Sequence, residues 1–169
     1  MLETPRLQLS IITTDDVDAV FQTLNDQHTC EIISFLKWPL TREQAEWWCA
    51  KAVTGEVTGS EYLFIARLDD KPVGCVGLHI EDDNCAEIGY WVEKDMQGQG
   101  IATEMLVAVA AFGLEQLKLN EIYATTAKGN PASDAVLMKN GFVPSGSKDV
   151  PLPDGALRPS SMFVLKRAP

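Results

Sequence analysis

The stretch that decides the reading is Ala86-Glu87-Ile88-Gly89-Tyr90-Trp91-Val92, followed after four residues by Gln97-Gly98-Gln99-Gly100-Ile101-Ala102. The first half reads as a strand, and a helical apolar stripe begins at Ile101. Between them lies a glycine-rich turn that leads into a helix. The first amides of a helix have no intrahelical acceptor, and the aligned peptide dipoles place partial positive charge there. Gly98 and Gly100 permit positive φ and carry no side chain that would hold a ligand away. The segment reads as an anion cradle for a nucleotide-type cofactor.

Two commoner phosphate motifs do not fit. A Walker loop requires Lys and then Ser or Thr after its last glycine, where this chain has Ile101 and Ala102. A dinucleotide fingerprint requires a third small residue three positions after the second glycine, early in a parallel sheet. Thr103 stands there instead, past the middle of the chain.

The 169 residues suit one domain with a sizeable core, and 46% apolar with 22% charged residues is globular composition. No apolar run reaches membrane-spanning length and the N-terminus lacks a basic-then-apolar signal pattern, so no membrane partner and a cytoplasmic location are expected. Cys30, Cys49, Cys75 and Cys85 show no C-x-x-C spacing, and with only His28 and His79 available no metal site is expected. The thiols are read as reduced, with Cys75 in the core. A net charge of −10 argues against nucleic acid as a partner. It is compatible with a cationic acceptor such as an amine or basic peptide, and equally with ordinary solubilising charge.

Along the chain, Arg6 to Ile12 alternates as a strand, and Thr13 or Thr14 can cap a helix carrying Val17, Val20, Phe21 and Leu24. Asn25 to Pro39 has no clean period. Thr41-Arg42-Glu43-Gln44 is a capping box that opens a helix through about Val53, with Gly55 to Gly59 as its break. Tyr62–Leu68, Pro72–Ile80 and Cys85–Val92 form an antiparallel meander. A long helix then buries Ile101, Met105, Val109, Phe112 and Leu117. Glu121–Ala127 is a strand, and Asn130–Asn140 a helix with Pro131 at its first turn and Gly141 past its end. Phe142–Ser145 and Ser161–Lys166 are the last strands, with a proline-bearing loop between them. The expectation is an α+β fold in one domain over residues 1–169, with about seven strands in a mostly antiparallel mixed sheet and about four flanking helices.

A second constellation is Asn130-Pro131-x-Ser133-x-x-Val136-Leu137-x-Lys139-x-Gly141-Phe142. Read alone, Asn130 is a helix N-cap. In this order and spacing, the strand, the Gln97-x-x-Gly100-x-Ala102 turn and this helix resemble the GCN5-related N-acetyltransferase (GNAT) family. The opening Glu3-Thr4-Pro5-Arg6-Leu7-x-Leu9 and the Glu87–Trp91 strand look like its branch that acetylates ribosomal-protein N-termini. The resemblance covers almost the whole chain and implies acetyl-CoA as cosubstrate, with no metal. It implies that Gln97, Gly98, Gln99, Gly100, Ile101, Ala102 and Thr103 hold the pyrophosphate, and that Asn130 meets the pantetheine arm. Tyr90, Trp91 and Val92 would line the pantetheine and thioester, where the sheet splays between Glu87–Val92 and Glu121–Ala127.

The chemistry implied is direct attack of a neutral primary amine on a thioester. The amine must lose a proton to a carboxylate, directly or through water. Glu87 is the first candidate and Glu61 the alternative. Many family members place a tyrosine seven residues after the asparagine to protonate the leaving thiolate; here that position is Leu137. Ser133 becomes the candidate to hydrogen-bond the sulfur, while Tyr123 is read as core. Phe35, Trp38 and Trp47 fall where the resemblance places the acceptor wall, with core packing as the competing account. The acceptor is a peptide N-terminus or a small amine (antibiotic, polyamine or amino acid), on a monomer or homodimer. A non-catalytic acyl-CoA sensor is the reading from another class.

Overall fold

The computed structural model describes residues 1–33, 36–82 and 84–167. The N-terminal strands β1 (Leu2–Glu3) and β2 (Gln8–Ile11) precede helices α1 (Val17–Leu24), α2 (Gln27–Ile32) and α3 (Arg42–Thr58). Strands β3 (Glu61–Leu68), β4 (Lys71–Asp82) and β5 (Cys85–Val92) follow. Then come α4 (Ile101–Ala111), β6 (Glu121–Ala127), α5 (Pro131–Lys139), β7 (Val143–Pro151) and β8 (Leu157–Lys166). All eight strands form one sheet in the order β1-β2-β3-β4-β5-β6-β8-β7. It is antiparallel except for β5 beside β6.

This is the expected α+β architecture with one more strand and one more helix. The additions are β1, two residues paired to β2, and α2, six residues capped by the Asp26 side chain on the Thr29 amide at 3.0 Å. Both are too short to carry a hydrophobic period. Helix α3 outlasts its expected end. Gly55 lies inside it, and the helix stops at Gly59, whose φ of +74° makes the left-handed cap. Gly55 is required by closeness: a Cβ there would lie 2.6 Å from Glu61 Cβ.

Alternation along the strands sorts the core into two layers. Leu63, Ile65, Cys75 and Trp91 face α1 and α3, while Phe64, Val76, Leu78, Ile88 and Ile122 face α4 and α5. Helix α4 buries Ile101, Met105, Leu106, Val109 and Ala110. Phe112 and Leu117 are only partly buried, because the helix passes into a π turn at Phe112–Gln116 and changes phase.

The tract expected to be a loop after Ser145 is mostly sheet. Strands β7 and β8 pair from Val143–Val164 out to Pro151–Leu157, leaving a tip of five residues, 152–156. The prolines are tolerated because Pro151 ends an edge strand and Pro159 lies beyond the last β6–β8 pair, Ala127–Ser160. The outer hairpin therefore projects past β6. Arg158 ties it to the end of α2, donating to the carbonyls of Ile32 (2.8 Å) and Glu31 (3.3 Å).

Candidate active site

Strands β5 and β6 pair only at Cys85–Glu121, Ala86–Ile122 and Glu87–Tyr123, and then part. Main-chain groups on β5 alternate in direction. Glu93 donates to Val73 on β4, so counting back in twos Trp91, Gly89 and Glu87 face β4. The Ile88 N–H still meets the Tyr123 carbonyl in the last β5–β6 pair, and beyond it Tyr90 and Val92 turn their N–H groups into the gap that β6 has left. The sequence reading named Tyr90, Trp91 and Val92 for this role. The register turns the Tyr90 and Val92 amides to the gap and the Trp91 backbone to β4, while Trp91 borders both cavities described below. The Trp91 ring packs edge-on against Trp48 at 5.0 Å and donates to Thr23 Oγ1 at 3.2 Å.

Two cavities meet at this gap. One, of about 390 Å³, lies along Tyr90–Val92, Gln97, Gly98, Gly100–Thr103 and α5. Gly98 and Gly100 have φ of +74° and +79°, and no side chain caps α4. Among the described residues no acceptor meets the amides from Gly98 to Thr103. Unpartnered amides at a helix N-terminus fit a pyrophosphate. The loop is held from three sides. Gln97 Nε2 donates to the Val92 carbonyl at 3.1 Å. Arg6 Nη1 donates to the Gln99 carbonyl at 3.1 Å, and its Nε and Nη2 each lie 2.7 Å from Glu104 Oε2. Thr4 Oγ1 and the Arg6 amide bind Glu104 Oε1 at 2.5 and 2.8 Å. The Gln99 side chain turns back to the Asp95 carbonyl and lies outside the cavity wall, unlike its neighbours.

Asn130 does two things at once. Its Oδ1 accepts from the Ser133 amide at 3.2 Å and caps α5, while its side-chain nitrogen has no partner among the described residues; Asn130 borders both cavities. Ser133 Oγ lies 2.7 Å from the Tyr90 hydroxyl. Burial raises the Tyr90 pKa above that of an ordinary phenol; the bond to Ser133 opposes this and Asp134 adds to it. Tyr90 thus stays protonated at neutral pH, and either hydroxyl can donate in this bond. Leu137, at the usual tyrosine position, is fully buried.

The second cavity, of about 410 Å³, lies on the α3 side of the sheet and borders Trp47, Trp48, Lys51, His79, Glu87, Gly89, Lys148 and Arg158. Register aligns Glu61, His79, Glu87 and Tyr123 in one row across β3–β6. Directly paired residues point to the same face. Glu61 Oε1 accepts from the Lys51 ammonium and lies 3.2 Å from His79 Nδ1, and it does not reach the cavity wall. Glu87 does. Tyr123, read as core, reaches this row as well: its hydroxyl donates to Glu81 and lies 3.4 Å from Glu87 Oε2. Burial first, and then the bond to Glu81, push its pKa far up. His79 carried no sequence motif; only cross-strand register places it here.

Of the expected acceptor wall, Trp47 lines the cavity and is 58% exposed. Trp38 borders neither cavity. Phe35 lies outside the described residues. Burial raises all four thiol pKa values, that of Cys49 to about 11, so none is a ready nucleophile. Among the described residues no group of three or more His, Cys, Asp or Glu is placed to hold a metal, and no helix is long and apolar enough to cross a membrane.

Residues 6–143 match the model of the acetyltransferase (GNAT) domain. The chain belongs to the GNAT acetyltransferase family. This GNAT chain is similar to the ribosomal-protein-serine acetyltransferase of Escherichia coli (strain K12), 30% identical over 146 residues that cover 83% of the chain and 80% of that protein. Its fold superposes on the ribosomal L7/L12 alpha-N-protein acetyltransferase RimL, solved with coenzyme A, with a TM-score of 0.85 and 20% identity over 97% of this chain and 96% of the other. The microcin C7 self-immunity acetyltransferase MccE, solved with acetyl-CoA and AMP, gives a TM-score of 0.83 at 15% identity, covering 96% and 93% of the two chains. As a GNAT enzyme the chain is an acyltransferase, with the two strands parted where both cavities meet.

Proposed function

We propose that this chain transfers an acetyl group from acetyl-CoA to a primary amine, with the N-terminus of a protein or peptide as acceptor. The observation that carries this is the parting of β5 and β6 after Glu87 and Tyr123, which joins the amide cradle of α4 to a cavity bordered by Glu87. The names of the ribosomal-protein-serine acetyltransferase of Escherichia coli and of RimL, an alpha-N-protein acetyltransferase, favour a protein N-terminus, and a cytoplasmic setting goes with that acceptor.

Bound acetyl-CoA supplies the activated thioester. The chain's residues do the rest. The amides of Gly98 to Thr103 and the α4 dipole neutralise the pyrophosphate. Asn130 and the free backbone of β5 orient the pantetheine arm, and the amides of Tyr90 and Val92 are the available oxyanion donors. Glu87 takes the proton from the attacking amine. Glu61, held by Lys51, positions His79 beside Glu87 in the row. Tyr90 donates to Ser133 Oγ, which frees the Ser133 proton to point at the leaving sulfur; the role is stabilisation, since a serine hydroxyl is a weak acid.

The test is release of free thiol from acetyl-CoA over a panel of peptides and small amines, alongside calorimetric binding of coenzyme A. Turnover with peptide N-termini is the expected result. Tight binding without turnover on any acceptor would make the chain a sensor, and absence of binding would remove the proposal.

A further inference from the structure

The acceptor cavity is basic on one side, against the character of the chain. The protein has 24 acidic and 14 basic residues, yet Lys51, Lys148 and Arg158 all border this one cavity. Lys51 is satisfied by Glu61. Among the described residues no carboxylate lies within ion-pair distance of Lys148 or Arg158. These two belong to the outer β7–β8 hairpin. Lys148 and Val150 are two apart on β7, and Arg158 pairs with Val150, so all three share a face. Burial confirms it: these three are partly buried, whereas Ser147, Asp149, Pro151, Leu157 and Pro159 are exposed.

Both cations are held in place. Lys148 Nζ stands 5.0 Å above the centre of the Tyr123 ring. Arg158 spends one nitrogen on the carbonyls of Glu31 and Ile32, and its Nε is buried with no partner. A guanidinium stays charged, and a buried N–H without an acceptor is costly. An acceptor bringing only positive charge, such as a polyamine, would meet this face at a disadvantage.

Resting on the acetyl-transfer reading above, we propose that the acceptor carries an anionic group, a carboxylate or phosphate, near its amine, and that Lys148 and Arg158 receive it. For a peptide this means an acidic side chain close behind the N-terminus. For a small molecule it means an amine that bears a carboxylate or phosphate.

Matched acceptors test it. Peptides identical except for Asp, Asn or Lys at the second and third positions separate the peptide case, and phosphoethanolamine against ethanolamine separates the small-molecule case. In the intact protein, kcat/KM and calorimetric affinity with coenzyme A present should favour the anionic member of a pair by about tenfold or more, the worth of one charged hydrogen bond. Lys148→Gln should erase most of that preference and Lys148→Glu should invert it toward the Lys peptides, with coenzyme A affinity unchanged. Arg158→Gln should act in the same direction, although it also frees the hairpin from α2. Equal rates for Asp and Asn peptides and for both ethanolamines, with turnover intact, would overturn this inference alone. No transfer to any acceptor would overturn the acetyl-transfer reading with it.

Discussion

The Tyr90 hydroxyl and the Ser133 hydroxyl stand 2.7 Å apart, bridging β5 to α5 across the gap where the two cavities meet. In the proposed mechanism Tyr90 donates to Ser133 Oγ and the Ser133 proton faces the leaving sulfur. Ser133→Ala should lower kcat by roughly 10- to 100-fold, the value of a hydrogen bond to developing charge. Tyr90→Phe should act in the same direction but less, and coenzyme A affinity should hold in both. An unchanged single-turnover rate in Ser133→Ala would leave Ser133 as a helix residue only.

Glu87 and Glu61 share a row but differ in what they touch. Glu87→Gln should reduce kcat by about 10² or more, as for loss of a general base, with coenzyme A affinity unchanged. Glu61→Gln should leave kcat within a few-fold and instead weaken stability, because Lys51 and His79 lose their partner. Single-turnover rates and melting temperatures of both variants decide between them; the reverse pattern would make Glu61 the base.

The cradle can be tested without straining its glycines. Ala102 lies in the first turn of α4 and borders the cavity. Ala102→Glu would set a carboxylate against the pyrophosphate. At ~6 Å and an effective dielectric near 20 the repulsion is about 3 kcal/mol, roughly a hundredfold in affinity. Calorimetry should show that loss, with melting temperature little altered.

Gly55 offers a prediction opposite to helix propensity. Glycine to alanine within a helix usually gains about 1 kcal/mol. Here the new Cβ would lie 2.6 Å from Glu61 Cβ, and overpacking costs about 1–3 kcal/mol. Gly55→Ala should therefore lower the melting temperature, and a rise would show that Glu61 yields easily.

Acid should loosen the fold through carboxylates held below their ordinary pKa. Burial alone would raise Glu104 and Asp16. For Glu104, Thr4 and Arg6 outweigh it; for Asp16, Thr13 and Arg67 do. The Thr29 amide first, and then Lys94, lower Asp26. A depressed folded pKa stabilises fully above the unfolded value and loses that contribution as pH falls toward the folded one. Denaturant midpoints should be steady near neutrality and decline below about pH 4.5, where unfolded carboxylates begin to protonate. Glu104→Gln should show a shallower decline.

Motif and register contributed differently to the site. Thr4-Pro5-Arg6 was legible as a family-like opening, but its work was not: Arg6 spans from the N-terminus to Glu104 and the Gln99 carbonyl and braces the cradle loop. His79 has no local signature, and Lys148 and Arg158 lay in a tract whose prolines read as loop. Trp38, read with Trp47 as acceptor wall, borders neither of the two cavities, since it lies in the irregular segment before α3 and shares no helix face with Trp47.

By itself the sequence determined the order of the longer elements, the turn into α4 and the cap of α5. Each of these is encoded within one helical turn or one strand period, by glycine's φ range, by an amide side chain before a proline, and by alternation. Only the tertiary structure decided that Glu61, His79, Glu87 and Tyr123 form a row, that β5 and β6 part after three pairs, and that the β7–β8 hairpin reaches α2. Those meetings depend on strand register and on partners up to 127 positions away, such as Arg158 on the carbonyl of Glu31. Nothing in local residue spacing specifies them.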